Sequence, residues 1–113
     1  MGGRAVVVKG LGLVLAGALA AGSGMADEAV VEVEIRQYAF HPAEVVVKPG
    51  TVVRWVNREK RQYHSVWFEG LDAEEPEYFF PEETYERRFD RPGVYRYRCG
   101  PHPEMRGVVR VVD

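Results

Sequence analysis

Thiols are scarce in this sequence: one Cys stands among 113 residues, beside three His and three Met. A single Cys excludes an intramolecular disulfide framework. It also excludes paired-thiolate zinc sites, C-x-x-C redox motifs, c-type haem attachment and cysteine-ligated iron–sulfur clusters. Charge of one sign is lacking as well. Fifteen Lys and Arg against seventeen Asp and Glu give −2, without the basic footprint of a nucleic-acid binder. Helical periodicity is missing, since no window holds a convincing apolar stripe at 3.6-residue spacing. What the chain does have is apolar and aromatic content, 46% and 12% of residues, which excludes disorder. Its length fits one domain.

Residues 1–26 differ in composition from everything that follows. Arg4 and Lys9 are the only charges before Asp27, and Leu11 to Ala21 is an apolar run of eleven residues. A bilayer-spanning helix needs about 20. Ser23-Gly24-Met25-Ala26 then supplies small residues for cleavage after Ala26. Positive start, short apolar run and small-residue site predict a secretory signal peptide over 1–26. The expected mature chain is 27–113, a single domain without a membrane segment. It carries thirteen bases against seventeen acids, a net charge of −4. Export in a bacterium places it in the oxidising periplasm. An unpaired Cys is unusual there, and a bound metal would account for it.

From Asp27 onward the period is two. Val31, Val33 and Ile35 alternate with Glu32, Glu34 and Arg36, so one strand face is apolar and the other charged. Val45 to Lys48 is a short apolar run closed by the turn signal Pro49-Gly50. Further strand candidates are Thr51 to Asn57, Tyr63 to Phe68, Thr84 to Phe89, Val94 to Cys99 and Val108 to Val112. Leu71 to Tyr85, rich in acids and holding two prolines, reads as a loop. Short strands punctuated by turns predict an all-β, antiparallel sandwich or barrel of about seven or eight strands.

The chemistry concentrates near the end of the chain. Cys99-Gly100-Pro101-His102-Pro103-Glu104-Met105 places Cys, His and Met at steps of three between two strand candidates, and His64 lies 35 residues upstream. Two imidazoles, one thiolate and a thioether form the ligand set of a blue-copper electron-transfer site. Structural zinc prefers more thiolates and no Met. Cys99 ends a strand, Gly100-Pro101 turns the chain, and Pro101 and Pro103 stiffen the loop around His102 through their fixed φ. His41, in Phe40-His41-Pro42, reads as a surface residue.

Three stretches resemble the cupredoxins, the type 1 blue copper proteins of the plastocyanin/azurin family, and within them the amicyanin-like branch. They are Tyr38 to Val53, Trp55 to Glu59 leading to His64, and Gly93 to Gly107. The two-residue gap between His102 and Met105 is similar to amicyanins. The resemblance implies a Greek-key β-sandwich holding one type 1 copper ion, Cu(I) or Cu(II). It assigns His64, Cys99 and His102 as equatorial ligands and Met105 as axial ligand. Asn57, Ser65, Gly100 and Pro101 would surround the site. His102, rimmed by Pro101, Pro103 and Glu104, would be the electron port. Four positions depart from the family pattern: Ser65 for Asn, Gly100 for Thr, Tyr63 for Pro and Glu104 for an apolar residue. The first two predict a weakened side-chain tie between the ligand loops.

The function expected is a periplasmic electron-transfer protein, not an enzyme. It would be a monomer that shuttles single electrons between redox proteins such as a c-type cytochrome and an upstream dehydrogenase. The alternative is a copper chaperone or storage protein without a shuttle role. Eight acids and no base lie between Glu69 and Glu86. They predict a patch that steers a basic partner, an effect that fades with salt.

Overall fold

The structure, a computed structural model, describes residues 5–8 and 29–113. It is all-β among those residues. The strands are β1 (Ala5–Val8), β2 (Val30–Arg36), β3 (Ala39–His41), β4 (Glu44–Val47), β5 (Thr51–Asn57), β6 (Thr84–Phe89), β7 (Gly93–Arg98) and β8 (Arg106–Val111). They form a five-stranded sheet in the order β1-β6-β5-β2-β3 and a three-stranded sheet in the order β4-β8-β7. The chain changes sheets between β3 and β4, between β4 and β5, and between β6 and β7, so the two layers are sewn together by connections at both ends.

Period-two patterning puts these residues where they are. Val33 and Ile35 of β2 are fully buried, and Val45 and Val47 of β4 face them from the other sheet's layer. Trp55 of β5 sits at the centre with no exposed surface. Its ring meets Tyr97 edge-on at 5.3 Å and Phe68 at 5.9 Å, and its Nε1–H donates to the Tyr97 hydroxyl at 3.1 Å. Buried aromatics therefore bridge the two sheets, and the indole's polar group is satisfied inside the core.

Three expectations need correction. The sheets are not purely antiparallel. β2 pairs parallel with β5, and β4 parallel with β8, because the crossing connections return the chain in the same direction. Tyr63–Phe68 is no strand. It pairs its backbone with other segments only through isolated bridges, His64 to Phe79 and Trp67 to Arg98, and joins no ladder of either sheet. β3, hidden behind the short turn at Gln37-Tyr38, was not anticipated. The signal-peptide expectation falls mostly outside the described residues. Within it, only Ala5–Val8 is described, as an edge strand antiparallel to Thr84–Arg87. None of the described residues forms a helix long and apolar enough to cross a membrane.

Candidate metal centre

Beyond β5 the chain leaves the sheet and must deliver His64 without strand pairing. Asn57, fully buried at the end of β5, does this with its side-chain amide. Its Nδ2 donates to the carbonyls of Gln62 (2.9 Å) and Phe79 (3.1 Å), and its Oδ1 accepts the Glu59 N–H at 2.9 Å. His64 and Phe79 then exchange backbone hydrogen bonds of 3.1 and 2.9 Å. An irregular segment is thereby fixed by one amide and one bridge, and the His64 ring is completely enclosed.

Cys99 arrives differently. It follows directly on β7, so strand geometry sets its direction. The Cys99 N–H donates to the Met105 carbonyl at 3.0 Å, and the Met105 N–H donates to the His102 carbonyl at 2.9 Å. These two bonds close residues 99–105 into one compact turn before β8 begins. Met105 is buried, with 2% of its surface exposed. His102 and Pro101 are half-buried, while Pro103 and Glu104 are exposed.

The two routes converge. Cys99 Sγ lies 3.5 Å from His64 Nδ1 and 3.6 Å from His102 Nδ1, and all three atoms fall within 4.8 Å of one another. Bonds of about 2.3 Å to sulfur and 2.0 Å to nitrogen, arranged at 120°, would separate S and N by about 3.7 Å. The residues therefore fit a metal held in trigonal fashion by one thiolate and two imidazoles. The donor chemistry suits copper, because soft sulfur and borderline imidazole serve both Cu(I) and Cu(II). The Ser65 N–H approaches Sγ at 3.4 Å, a weak hydrogen bond of the kind that tunes a thiolate.

Electrostatics follow from enclosure. Burial, reinforced by the neighbouring His102 and opposed by Glu59, pushes the His64 pKa down, which keeps the ring neutral and able to ligate. Burial pushes the Cys99 thiol up, against the pull of the Ser65 amide and Arg98. The metal-free site thus holds a protonated thiol, and loading must release that proton.

Several surrounding residues escaped the sequence. Gln37 and Tyr38 both adopt φ of 55° in the two-residue turn between β2 and β3. Left-handed backbone at non-glycine residues costs about 1–2 kcal/mol each. The turn carries the Tyr38 ring edge-on to His102 (5.0 Å) and His64 (5.8 Å). Glu59 Oε2 accepts the Tyr38 N–H at 2.8 Å and lies 3.3 Å from His64 Nε2. That approach is too poorly aligned to count as a hydrogen bond, and Nε2 is otherwise unpartnered. Arg98 stacks on Trp67, pairs with Glu69, and donates to the carbonyls of Cys99 (3.1 Å) and Gly100 (3.2 Å). A positive-φ turn without glycine leaves no signature in sequence, and the Arg98 clamp joins segments about thirty residues apart.

The weakened tie expected from Ser65 and Gly100 is instead a direct one: Ser65 Oγ accepts the Gly100 N–H at 2.9 Å. The acidic segment also differs from expectation. Four of its eight acids are paired with arginine: Glu69 with Arg98, Asp72 with Arg87, Glu82 with Arg58 and Glu86 with Arg54. His41 Nε2 donates a hydrogen bond to the Arg36 carbonyl at 3.1 Å and lies outside the cluster.

Residues 27–112 match the family described as copper binding proteins, plastocyanin/azurin family. The chain belongs to that family. It is 38% identical over 84 residues to amicyanin-alpha of Methylorubrum extorquens, an alignment covering 71% of this chain and 70% of the relative. It is 35% identical over 94 residues to the amicyanin of Paracoccus denitrificans, covering 80% and 71%. Among solved structures, the amicyanin of Paracoccus versutus superposes with a TM-score of 0.65 at 34% identity, over 80% of this chain and 86% of that one. The protein is an amicyanin-like cupredoxin, an electron-transfer protein whose cofactor is one copper ion.

Proposed function

We propose that this cupredoxin is an exported, soluble shuttle that carries single electrons between redox proteins of the periplasm. The observation that carries the reading is the convergence of Sγ and two Nδ1 atoms at 3.5 and 3.6 Å. His64, Cys99 and His102 would hold the copper ion through two imidazoles and a thiolate, and the buried Met105 would add a thioether. Copper, when bound, supplies reversible one-electron exchange. Everything else falls to the chain. Asn57 and the Ser65–Gly100 bond hold the two ligand segments at one spacing, so little rearranges when charge changes. Cys99 has no exposed surface, so the fold keeps water from the sulfur. His102 is the one nitrogen ligand with exposed surface, and Pro101, Pro103 and Glu104 rim it as the electron port. A small apolar contact of this sort suits brief redox encounters.

Export rests on the leader pattern of residues 1–26, and the family match begins at residue 27. The partners proposed are a c-type cytochrome as acceptor and a dehydrogenase as donor. With half of the acids in 69–86 neutralised by arginine, steering toward a basic partner is modest. Cyclic voltammetry and visible spectroscopy of the copper-loaded protein test the shuttle. An intense blue colour and a reversible couple are expected. A colourless protein would overturn the ligand assignment. A blue protein without a reversible couple would point to copper storage or delivery.

A further inference from the structure

Gly100 carries no left-handed backbone; among the described residues the glycines with positive φ are Gly50 and Gly93. Its lack of a side chain therefore answers a question of space. A Cβ built there would overlap Glu75 Oε2, come within 2.7 Å of Glu75 Cδ and stand 2.8 Å from Ser65 Oγ. A carboxylate from the acidic segment occupies the room that a side chain at position 100 would take. The same carboxylate lies close enough to the Tyr78 hydroxyl to push its pKa up. The Tyr78 ring stacks on Tyr63 at 5.0 Å with the planes 8° apart, and Tyr63 immediately precedes His64. One residue on, Phe79 pairs its backbone with His64.

We propose that Gly100 is a notch keyed by the Glu75 carboxylate, and that this contact makes residues 75–79 a strap joining the Cys99 loop to the His64 segment. The strap touches the Cys side through Glu75 and the His side through Tyr78 and Phe79, so it spans both routes by which ligands arrive. Glu75 is a positioning residue. It also sets a negative charge beside the ligand loop, which favours the more positive oxidation state of the copper and lowers the reduction potential. Gly100 in place of a larger residue, and Glu75 twenty-five residues earlier, are then two halves of one device.

The inference rests on the copper reading only for the potential, so its test has a metal-free arm. In the metal-free protein, Gly100→Ala should expel the carboxylate and speed amide exchange at position 100 and at Phe79 by about tenfold. In a Glu75→Ala background the same substitution should cost clearly less, since the carboxylate is gone and only the 2.8 Å approach to Ser65 Oγ is left to relieve. In the copper-loaded protein, Glu75→Gln keeps the shape and removes the charge. It should shift the Cu(II)/Cu(I) equilibrium toward Cu(I) by about three- to tenfold, the tenfold limit being about 59 mV, while exchange at position 100 stays at the parent rate. Simple addition of the Gly100→Ala and Glu75→Ala effects would overturn the notch. A Glu75→Gln potential equal to the parent's would overturn the electrostatic role. If the parent itself showed no reversible couple, the shuttle reading would fail while the exchange arm still judged the strap.

Discussion

The two segments that carry the ligands are built on opposite principles. Residues 99–105 hold three of the four proposed ligands within seven positions, and two backbone hydrogen bonds close them into a turn. Residues 58–68 hold one, His64, in a stretch with no strand of its own. It is placed by Asn57 and by the Phe79 bridge. The first segment is local and survives as a pattern in sequence. The second is a tertiary construction, and damage to it should act through distant residues.

The largest effect expected on this comparison comes from the local segment. Cys99→Ser removes the only thiolate, so the blue absorption of the copper-loaded protein should vanish altogether, as a visible spectrum would show. Asn57→Ala strikes the tertiary segment without touching a ligand. It strands the Gln62 carbonyl and the Glu59 N–H and leaves the Phe79 carbonyl with the His64 N–H alone, and each lost partner is worth about 1–3 kcal/mol. Denaturant unfolding of the metal-free protein should show the loss, and a chelator competition should show copper affinity lowered by about 10- to 100-fold. If Asn57→Ala matched the parent in both, the claim that one amide places His64 would be lost.

Acid should separate the segments further. His64 has a folded pKa below its ordinary value of 6.5, chiefly through desolvation. The folded metal-free protein therefore binds fewer protons than the unfolded chain below that pH, and stability must fall as pH drops from 6.5 toward the lowered value. Equilibrium unfolding at stepped pH checks the sign. Copper loading should release the proton of the Cys99 thiol, whose pKa is raised, so affinity should weaken on acidification. Calorimetry in buffers of different ionisation enthalpy would count that proton. Ser65→Ala should give the smallest stability change, about 1 kcal/mol, because it removes one hydrogen bond at a partly exposed loop. Electron-transfer rates with a basic partner should fall only modestly with salt. A steep fall would mean that the acidic segment steers after all.

Much of this protein could be read from the chain alone. Alternation at Val31–Arg36 and Thr51–Asn57 marks strands because a pleated backbone turns every second side chain to the same face. Cys99, His102 and Met105 announce a soft-metal site because a short loop between strands brings ligands at steps of three together with little freedom left. The strand expected over Tyr63–Phe68 failed because Val66 and Phe68 are buried without joining a ladder, a burial that period alone cannot tell from pairing. Parallel pairing of β2 with β5 and of β4 with β8 followed from which connections cross between sheets, and no local residue encodes that.

Residue types and their spacing thus determined the β class, the donor set and the loop that carries most of it. Tertiary structure alone decided that His64 reaches the same point, that arginines neutralise half of the acidic segment, and that Tyr38, Glu59, Arg98 and Glu75 stand around the site. The physical reason is range. Spacing constrains residues a few bonds apart, whereas these contacts join segments up to 64 residues apart in sequence, such as Tyr38 and His102, and only packing of the whole sandwich sets such distances.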